Sequence, residues 1–201
     1  DSDFSARNLA PIASKLLGQN VIVQNIAGAS GTIGSQKVRT SPPDGYTLLV
    51  SRAGSQAIVP ALESSTPYKW NDFTFISLLD FNPLVCVVKP DAPYKNMKEL
   101  IAVIKANPTK LNYSTAGAGT TQHLAVEVLL RDVGLPSTAA TMIPYKSAGL
   151  ATTALLSGEV DFLCNNLTTI TGQLKGNAMR PLVTSSSSRL KDFPKIGRAS
   201  C

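Results

Sequence analysis

The chain has 201 residues, of which 43% are hydrophobic and 16% charged, and its mean hydropathy is +0.08. This composition is too apolar for a disordered chain, and its apolar runs, such as 83–88, are far shorter than the roughly 18 residues of a membrane-spanning helix. The net charge of +6 is scattered and is not interleaved with aromatic residues, which argues against a nucleic-acid platform and favours small anions as partners.

Short apolar runs alternate along the chain with longer segments of helical period, which is typical of an α/β fold with largely parallel strands. Segment 4–17 has apolar residues at helical spacing and ends at Gly18, although Pro11 predicts either a kink or a start near Asn8. Further helices are predicted at 97–105 (with Asn96 as its cap), 121–133 and 148–156. The predicted strands are 21–25, 46–51, 75–79, 84–88, 111–114, 141–145, 160–164 and 180–184.

Two proline-containing connections near the middle of the chain, at 80–83 and 89–93, predict a boundary between two lobes. The first lobe is expected to span 1–82 and the second 83–201. The N-terminal residues are acidic or polar where a signal peptide would be basic and then apolar, so any targeting segment is expected to have been removed. Because the chain opens on a helix, we expect it to be part of a longer protein.

The chain has three cysteines and one histidine, and no pair of cysteines has the spacing of metal ligands. No metal site is therefore predicted. Cys86 and Cys164 lie inside apolar runs, so both are expected to be buried free thiols.

Segment 114–123 joins a predicted strand to the helix that starts near Thr121. Its small residues let the backbone approach a ligand, and its hydroxyls and helix start offer hydrogen-bond donors, which suits an anion such as a carboxylate. It lacks the lysine of a P-loop, and Gln122 replaces the third glycine of a dinucleotide fingerprint, so no cofactor is predicted. A tight turn that needs glycine only for its dihedral angles explains the segment equally well.

His123 lies near the start of that helix, but the chain has neither a G-x-S-x-G elbow nor paired acidic residues at helical spacing. A histidine that packs or hydrogen-bonds near the loop is therefore favoured over a catalytic one, and no catalytic residue is predicted. Small polar residues also follow two other predicted strands, at 51–55 and 165–166. These strand ends are expected to converge with 114–123 on one cleft, unless they are ordinary solvated loops.

Five motifs follow one another in a recognisable order. They are NIAGASGTIG at 25–34, PDGYTLL at 43–49, NYSTAGAGTTQHL at 112–124, PYKS at 144–147 and LLSGEVD at 155–161. Together they resemble the TctC or Bug family, the periplasmic substrate-binding proteins of tripartite tricarboxylate transporters. The resemblance extends from residue 3 to about residue 189.

The resemblance implies an α/β, type II periplasmic-binding-protein fold, with two lobes of mostly parallel sheet flanked by helices. Such a protein closes on a small organic acid without catalysing a reaction and delivers it to permease subunits in the membrane, with no cofactor and no nucleic acid. Two strand-to-helix loops, one from each lobe, would hold the carboxylate. The residues that the resemblance assigns to ligand binding are Ser2, Asp3, Ser51, Gly54, Ser55, Ser114, Thr115, Gly117, Gly119, Thr120, Thr121, His123, Tyr145, Ser147 and Asn165.

The chain departs from the family pattern in lacking a first strand with a glycine-rich loop before Asp3 and a C-terminal segment that returns to the first lobe, so this lobe is expected to be incomplete. Asn165 stands where an aspartate is common. Two rival interpretations remain. One is an α/β enzyme that acts on a small carboxylate with His123 as its base, and the other is the effector-binding domain of a LysR-type regulator.

Overall fold

The structure is a computed structural model, which describes residues 2–198. The chain divides into two compact units between Phe81 and Asn82. Within the described residues, no helix has both the length and the apolar composition that crossing a membrane requires. The interpretation of the two units as an incomplete first lobe and a second lobe stays a prediction.

The first unit contains helices α1 (Ser2–Leu17), α2 (Thr32–Arg39) and α3 (Val59–Leu62), and a π-helical turn, Gly54–Ile58, leads into α3. Helix α1 continues over Pro11, so the alternative of a start near Asn8 is wrong. Its first turn is supported by the Asp3 carboxylate, which accepts a hydrogen bond from Arg7 Nε at 2.8 Å, one turn further along.

A charged cluster ties together distant parts of the first unit. The Asp80 carboxylate accepts hydrogen bonds from the guanidinium of Arg52 and the hydroxyl of Ser5, and Arg52 Nη2 also donates to Ser5 Oγ at 3.0 Å. The donors from Arg52, followed by the one from Ser5, lower the pKa of Asp80. This cluster links α1 to the segments around residues 52 and 80.

Three predicted strands are wrong, because residues 21–25, 46–51 and 75–79 form neither helix nor strand. Their composition suits a strand, but a strand also needs a neighbouring edge to pair its backbone N–H and C=O groups. The described part of the first unit supplies no such edge. Large apolar side chains in and beside these segments are exposed, among them Ile22 (86%), Tyr46 (91%), Ile76 (79%), Leu78 (83%) and Phe81 (86%). We call these five side chains the exposed apolar group.

The second unit is built on one sheet of six strands. They are β1 (Leu84–Val88), β2 (Asn112–Thr115), β3 (Thr141–Pro144), β4 (Phe162–Asn166), β5 (Arg180–Thr184) and β6 (Gly197–Arg198), in the spatial order β3-β2-β4-β1-β5-β6. Strand β1 pairs antiparallel with β4 and β5, and the other three pairings are parallel. The predicted α/β fold is confirmed, with a mixed sheet.

Helices cover both faces of this sheet. They are α4 (Met97–Ala106), α5 (Thr121–Asp132), α6 (Ala148–Ser157) and α7 (Leu167–Lys175). Side chains alternate between the two faces along β1. Cys86 and Val88 lie in a first core with α4 and α5. Val85 and Val87 lie in a second core with α6 and α7. Burial on both faces explains why the apolar strands of this unit are recognisable in the sequence.

Cys86 and Cys164 form a disulfide, so the prediction of two free thiols is wrong. The antiparallel register of β1 and β4 places the two residues directly opposite each other, with their Cα atoms 3.9 Å apart. The two cysteines are 78 residues apart in the sequence, so the pairing depends on strand register and cannot be read from their spacing. Burial was predicted correctly, since Cys86 and Cys164 are 7% and 0% exposed.

The disulfide predicts the outcome of a thiol titration on the variant Cys201→Ser, which keeps only Cys86 and Cys164. The denatured, unreduced protein is expected to show no reactive thiol and the reduced protein two. Cys86→Ala with Cys164→Ala is expected to lower the free energy of unfolding by roughly 2–5 kcal/mol. Two thiols in the unreduced Cys201→Ser protein would contradict the cross-link.

The exposed apolar group predicts that the chain self-associates as its concentration rises, because contact between copies removes apolar surface from water. Light scattering during size-exclusion chromatography measures this association. Ile76→Lys with Leu78→Lys is expected to keep the chain monomeric. The control, Ala102→Lys with Ala106→Lys, adds the same charge to exposed positions of α4 and is expected to leave the association unchanged. If both double variants associate to the same extent, the prediction is contradicted.

Candidate functional site

Three neighbouring strands of the second unit, β3, β2 and β4, run parallel and end at one edge of the sheet. Thr115 at the end of β2 is in register with Pro144 at the end of β3, and Ser114 is in register with Leu163 of β4. The chain leads from these ends into α5, α6 and α7. The N-termini of three helices are thereby gathered at this edge, which we call the carboxyl edge.

The glycine loop, residues 115–120, joins β2 to α5 and is held by its own hydrogen bonds. Gly117 N donates to Thr115 Oγ1 at 3.1 Å, and Thr120 Oγ1 donates to Gly117 O at 2.7 Å. Gly117 (φ +117°) and Gly119 (φ +74°) have left-handed backbone conformations, which explains why the loop contains glycine at these positions. The loop is therefore shaped without help from a ligand.

The start of α5 offers hydrogen-bond donors at the carboxyl edge. Thr120 caps the helix, its hydroxyl oxygen accepting from His123 N at 3.4 Å, while the amides of Thr121 and Gln122 precede any possible intrahelical acceptor. None of α5, α6 and α7 has an acidic residue in its first turn, so the partial positive charge of each helix end is not neutralised there. This arrangement can bind an anion by hydrogen bonds and by charge.

His123 connects α5 to the glycine loop. Its Nδ1 accepts a hydrogen bond from Gly119 N at 3.2 Å, so the proton of the neutral ring is assigned to Nε2, which lies 3.5 Å from Glu127 Oε1. The same carboxylate oxygen accepts from the Tyr113 hydroxyl at 3.3 Å. Burial, followed by the proximity of Glu127, raises the pKa of Tyr113, which keeps this phenol a donor.

Asn165, fully buried at the end of β4, joins two helices to the sheet. Its Oδ1 accepts from Gln122 Nε2 at 3.1 Å and from Asn166 N at 2.8 Å. Its Nδ2 donates to Thr152 Oγ1 at 3.0 Å and to Ala148 O at 3.3 Å. The amide thus uses both donors and both acceptor positions within the protein.

Three further predicted residues of the second unit also make contacts that hold the carboxyl edge together. Ser114 is fully buried and donates to Ala151 O of α6 at 2.8 Å. Tyr145 N donates to Thr115 O at 2.8 Å. The Tyr145 ring packs against the second core, and burial, followed by the nearby Glu159, raises the pKa of its phenol. Ser147 caps α6 by accepting from Leu150 N at 3.2 Å.

The remaining predicted residues lie in the first unit. Ser2 begins α1, and hydrogen bonds from Asn25 and then Arg7 lower the pKa of Asp3. Ser51 is half-buried in an irregular segment, whereas Gly54 and Ser55 are buried in the π-helical turn. Tyr68 donates to Ser55 O at 2.6 Å. The hydrogen bonds described for Asp3 and Ser55 are thus made within the first unit.

The structure thus brings the predicted residues of 114–123 together with Tyr145, Ser147 and Asn165 along the carboxyl edge. Sequence reasoning missed Gln122 and Thr152, the two side chains that hold Asn165, because a buried polar side chain leaves no periodic signal. It also missed Glu127, although a glutamate four residues after a histidine on a helix is a readable pair.

The chain is similar to known proteins in both sequence and fold. The model of the tripartite tricarboxylate transporter family receptor (TctC) matches residues 5–200. BugD, solved as a periplasmic binding protein, is 32% identical with a TM-score of 0.89, over 98% of this chain and 65% of that one. MatC of Rhodopseudomonas palustris, solved with bound malate, is 28% identical with a TM-score of 0.91, over 99% of this chain and 67% of that one.

A further Rhodopseudomonas palustris protein, solved with adipate, is 26% identical with a TM-score of 0.91, over 98% of this chain and 65% of that one. These likenesses confirm the expected periplasmic-binding-protein fold. The chain spans 56–60% of the length of three curated relatives that it matches over 97% of its own residues.

The saturated amide of Asn165 predicts that Asn165→Asp destabilises the protein. The aspartate lacks both Nδ2 donors and places a carboxyl where burial favours the uncharged form. Its pKa is therefore raised in the folded state, so the added loss of stability is absent in acid and grows as the pH rises above about 4. The measurement is the denaturation midpoint at several pH values.

Asn20→Asp makes the same chemical change at an exposed position and is expected to leave the midpoint nearly unchanged. A midpoint of Asn165→Asp that matched this control at neutral pH would show that the Asn165 hydrogen bonds contribute little.

Proposed function

The chain belongs to the tripartite tricarboxylate transporter family of receptors, and from this premise we propose that it is an extracytoplasmic solute receptor. It binds a small organic acid through a carboxylate and delivers the acid to the permease subunits of a membrane transporter. The observation that carries the proposal is the glycine loop at the start of α5, with hydroxyls, two amides without intrahelical acceptors and no acidic side chain in the first turn. That related proteins were solved with malate and adipate supports a dicarboxylate as the ligand.

At the glycine loop, the amides of Thr121 and Gln122 have no intrahelical acceptor because they lie in the first turn of α5, and Thr121 also supplies a hydroxyl. A carboxylate accepts two such hydrogen bonds at once, and the dipole of the 12-residue helix α5 stabilises its charge. Thr115, Gly117 and Thr120 give the loop its shape. The contribution of the predicted residues in the first unit and the closure of two lobes on the ligand stay predictions.

The proposed location is the periplasm. The disulfide between Cys86 and Cys164 supports it, because such cross-links form and persist in oxidising compartments and are rare in the cytosol. The net charge of +6 also favours the approach of an anionic ligand.

The contacts of His123 favour binding over catalysis. Its Nδ1 is engaged by Gly119 N and its Nε2 faces Glu127, so both ring nitrogens have partners within the protein, whereas a general base must reach a proton of its substrate. The effector domain of a LysR-type regulator is disfavoured by the family assignment.

Binding can be tested by titrating the isotope-labelled chain with malate and adipate while following its backbone amide signals. Saturable shifts are expected at Thr121 and Gln122. Thr121→Asp places a carboxylate at a position that a helix N-terminus favours, so the fold is kept while the ligand is repelled, and the affinity is expected to fall by about tenfold or more.

The control is Lys98→Asp in the first turn of α4, a helix that follows β1 at the opposite edge of the sheet. It lowers the net charge by two units, against one unit for Thr121→Asp, so it is the more severe test of a general charge effect. Its affinity is expected to stay close to that of the unmodified chain. Absence of saturable shifts with either acid, or an equal loss of affinity in both variants, would overturn the proposal.

A further inference from the structure

We propose that His123 is a positioning residue, which fixes the glycine loop for the ligand by accepting the backbone N–H of Gly119 without contacting the ligand itself. The inference rests on the proposed function, since it concerns how the same loop is prepared for a carboxylate. It differs from the family-based expectation, in which His123 is one of the ligand-binding residues.

The first support is the position of Gly119. This residue is buried and has a left-handed backbone conformation (φ +74°), and its N–H points to His123 Nδ1 at 3.2 Å. A buried N–H without an acceptor is unfavourable, so loss of Nδ1 drives the loop to reorganise or to draw water in. Only a side chain with an acceptor at the place of Nδ1 keeps the loop as it is.

The second support is the chain of contacts behind the ring. Nε2 faces Glu127 Oε1 at 3.5 Å, and the Tyr113 hydroxyl donates to the same oxygen at 3.3 Å. Tyr113 itself is 1% exposed and stacks on Phe162, with ring centroids 5.4 Å apart. The Glu127 carboxylate is thereby held beside Nε2, which favours the tautomer that carries its proton on Nε2 and leaves Nδ1 to accept.

The third support is the hydrogen-bond balance of the loop. Gly117 N is held by Thr115 Oγ1, Gly119 N by His123 Nδ1, and His123 N by Thr120 Oγ1. The amides of Thr121 and Gln122, in the first turn of α5, have no intrahelical acceptor and can donate to a ligand. Because these internal hydrogen bonds order the loop before a ligand arrives, less conformational entropy is lost on binding, which raises the affinity.

Two substitutions separate this role from simple packing. The side-chain oxygen of asparagine can occupy the place of Nδ1, so His123→Asn keeps the acceptor for Gly119 N. His123→Gln places its amide near the position of Nε2 and leaves the place of Nδ1 empty. Because glutamine is the better helix former, a purely structural role predicts that His123→Gln is the more stable and better-behaved variant.

The first measurement is amide hydrogen exchange at Gly119 without ligand, and the second is the dissociation constant for malate and adipate from the titration described above. His123→Asn is expected to keep the protection of Gly119 and most of the affinity. His123→Gln is expected to lose about tenfold or more in both, although the two variants unfold at similar temperatures.

Suppose that the unmodified chain binds malate or adipate. If the two variants then protect Gly119 equally, or bind the acid with equal affinity, the role of His123 is overturned while the proposed function stands. If the unmodified chain binds neither acid, the proposed function fails, and the exchange of Gly119 still decides whether His123 holds the loop.

Discussion

The parallel register of β2 with β3 and β4 is the constraint on which the rest of the candidate site depends. It brings three strand ends to one edge, and because each strand is followed by a helix, it gathers three helix N-termini there. Partial positive charge is therefore concentrated by backbone geometry alone, without a lysine or arginine in the first turn of α5. Backbone groups of this kind can recognise the charged group of a small anion and place no requirement on the rest of the molecule.

Most polar side chains around this edge bond to the protein itself. The Asn165 amide forms hydrogen bonds with α5, α6 and its own strand. Ser114 donates to α6, and His123 accepts from the glycine loop. Saturated buried side chains thus hold the edge in place, while the first backbone amides of α5 have no intrahelical acceptor. This division explains how a loop of small residues can have a defined shape.

The sequence predicts much of the second unit because β1, β2 and β4 are largely buried and α4, α5 and α6 carry side-chain caps. Helix α7, which has no side-chain cap, is not predicted. Asn96 caps α4 as predicted, Gly158 ends α6 in a left-handed conformation, and the strand 180–184 has the predicted bounds. Predictions for the first unit are poorer, since segments such as 46–51 have the composition of strands but lack a pairing edge in the described residues. The disulfide and the contacts of Asn165 depend on register between distant residues, which composition and periodicity do not contain.

The cross-link between β1 and β4 has a topological consequence. The covalent ring that it closes runs from Cys86 to Cys164 and includes β2, β3, α4, α5 and α6, and therefore the whole glycine loop. A protease that cuts the backbone once inside this ring produces two pieces that remain joined through sulfur. A single cut within the glycine loop therefore leaves β2 and α5, the two elements that this loop joins, in one covalently linked molecule.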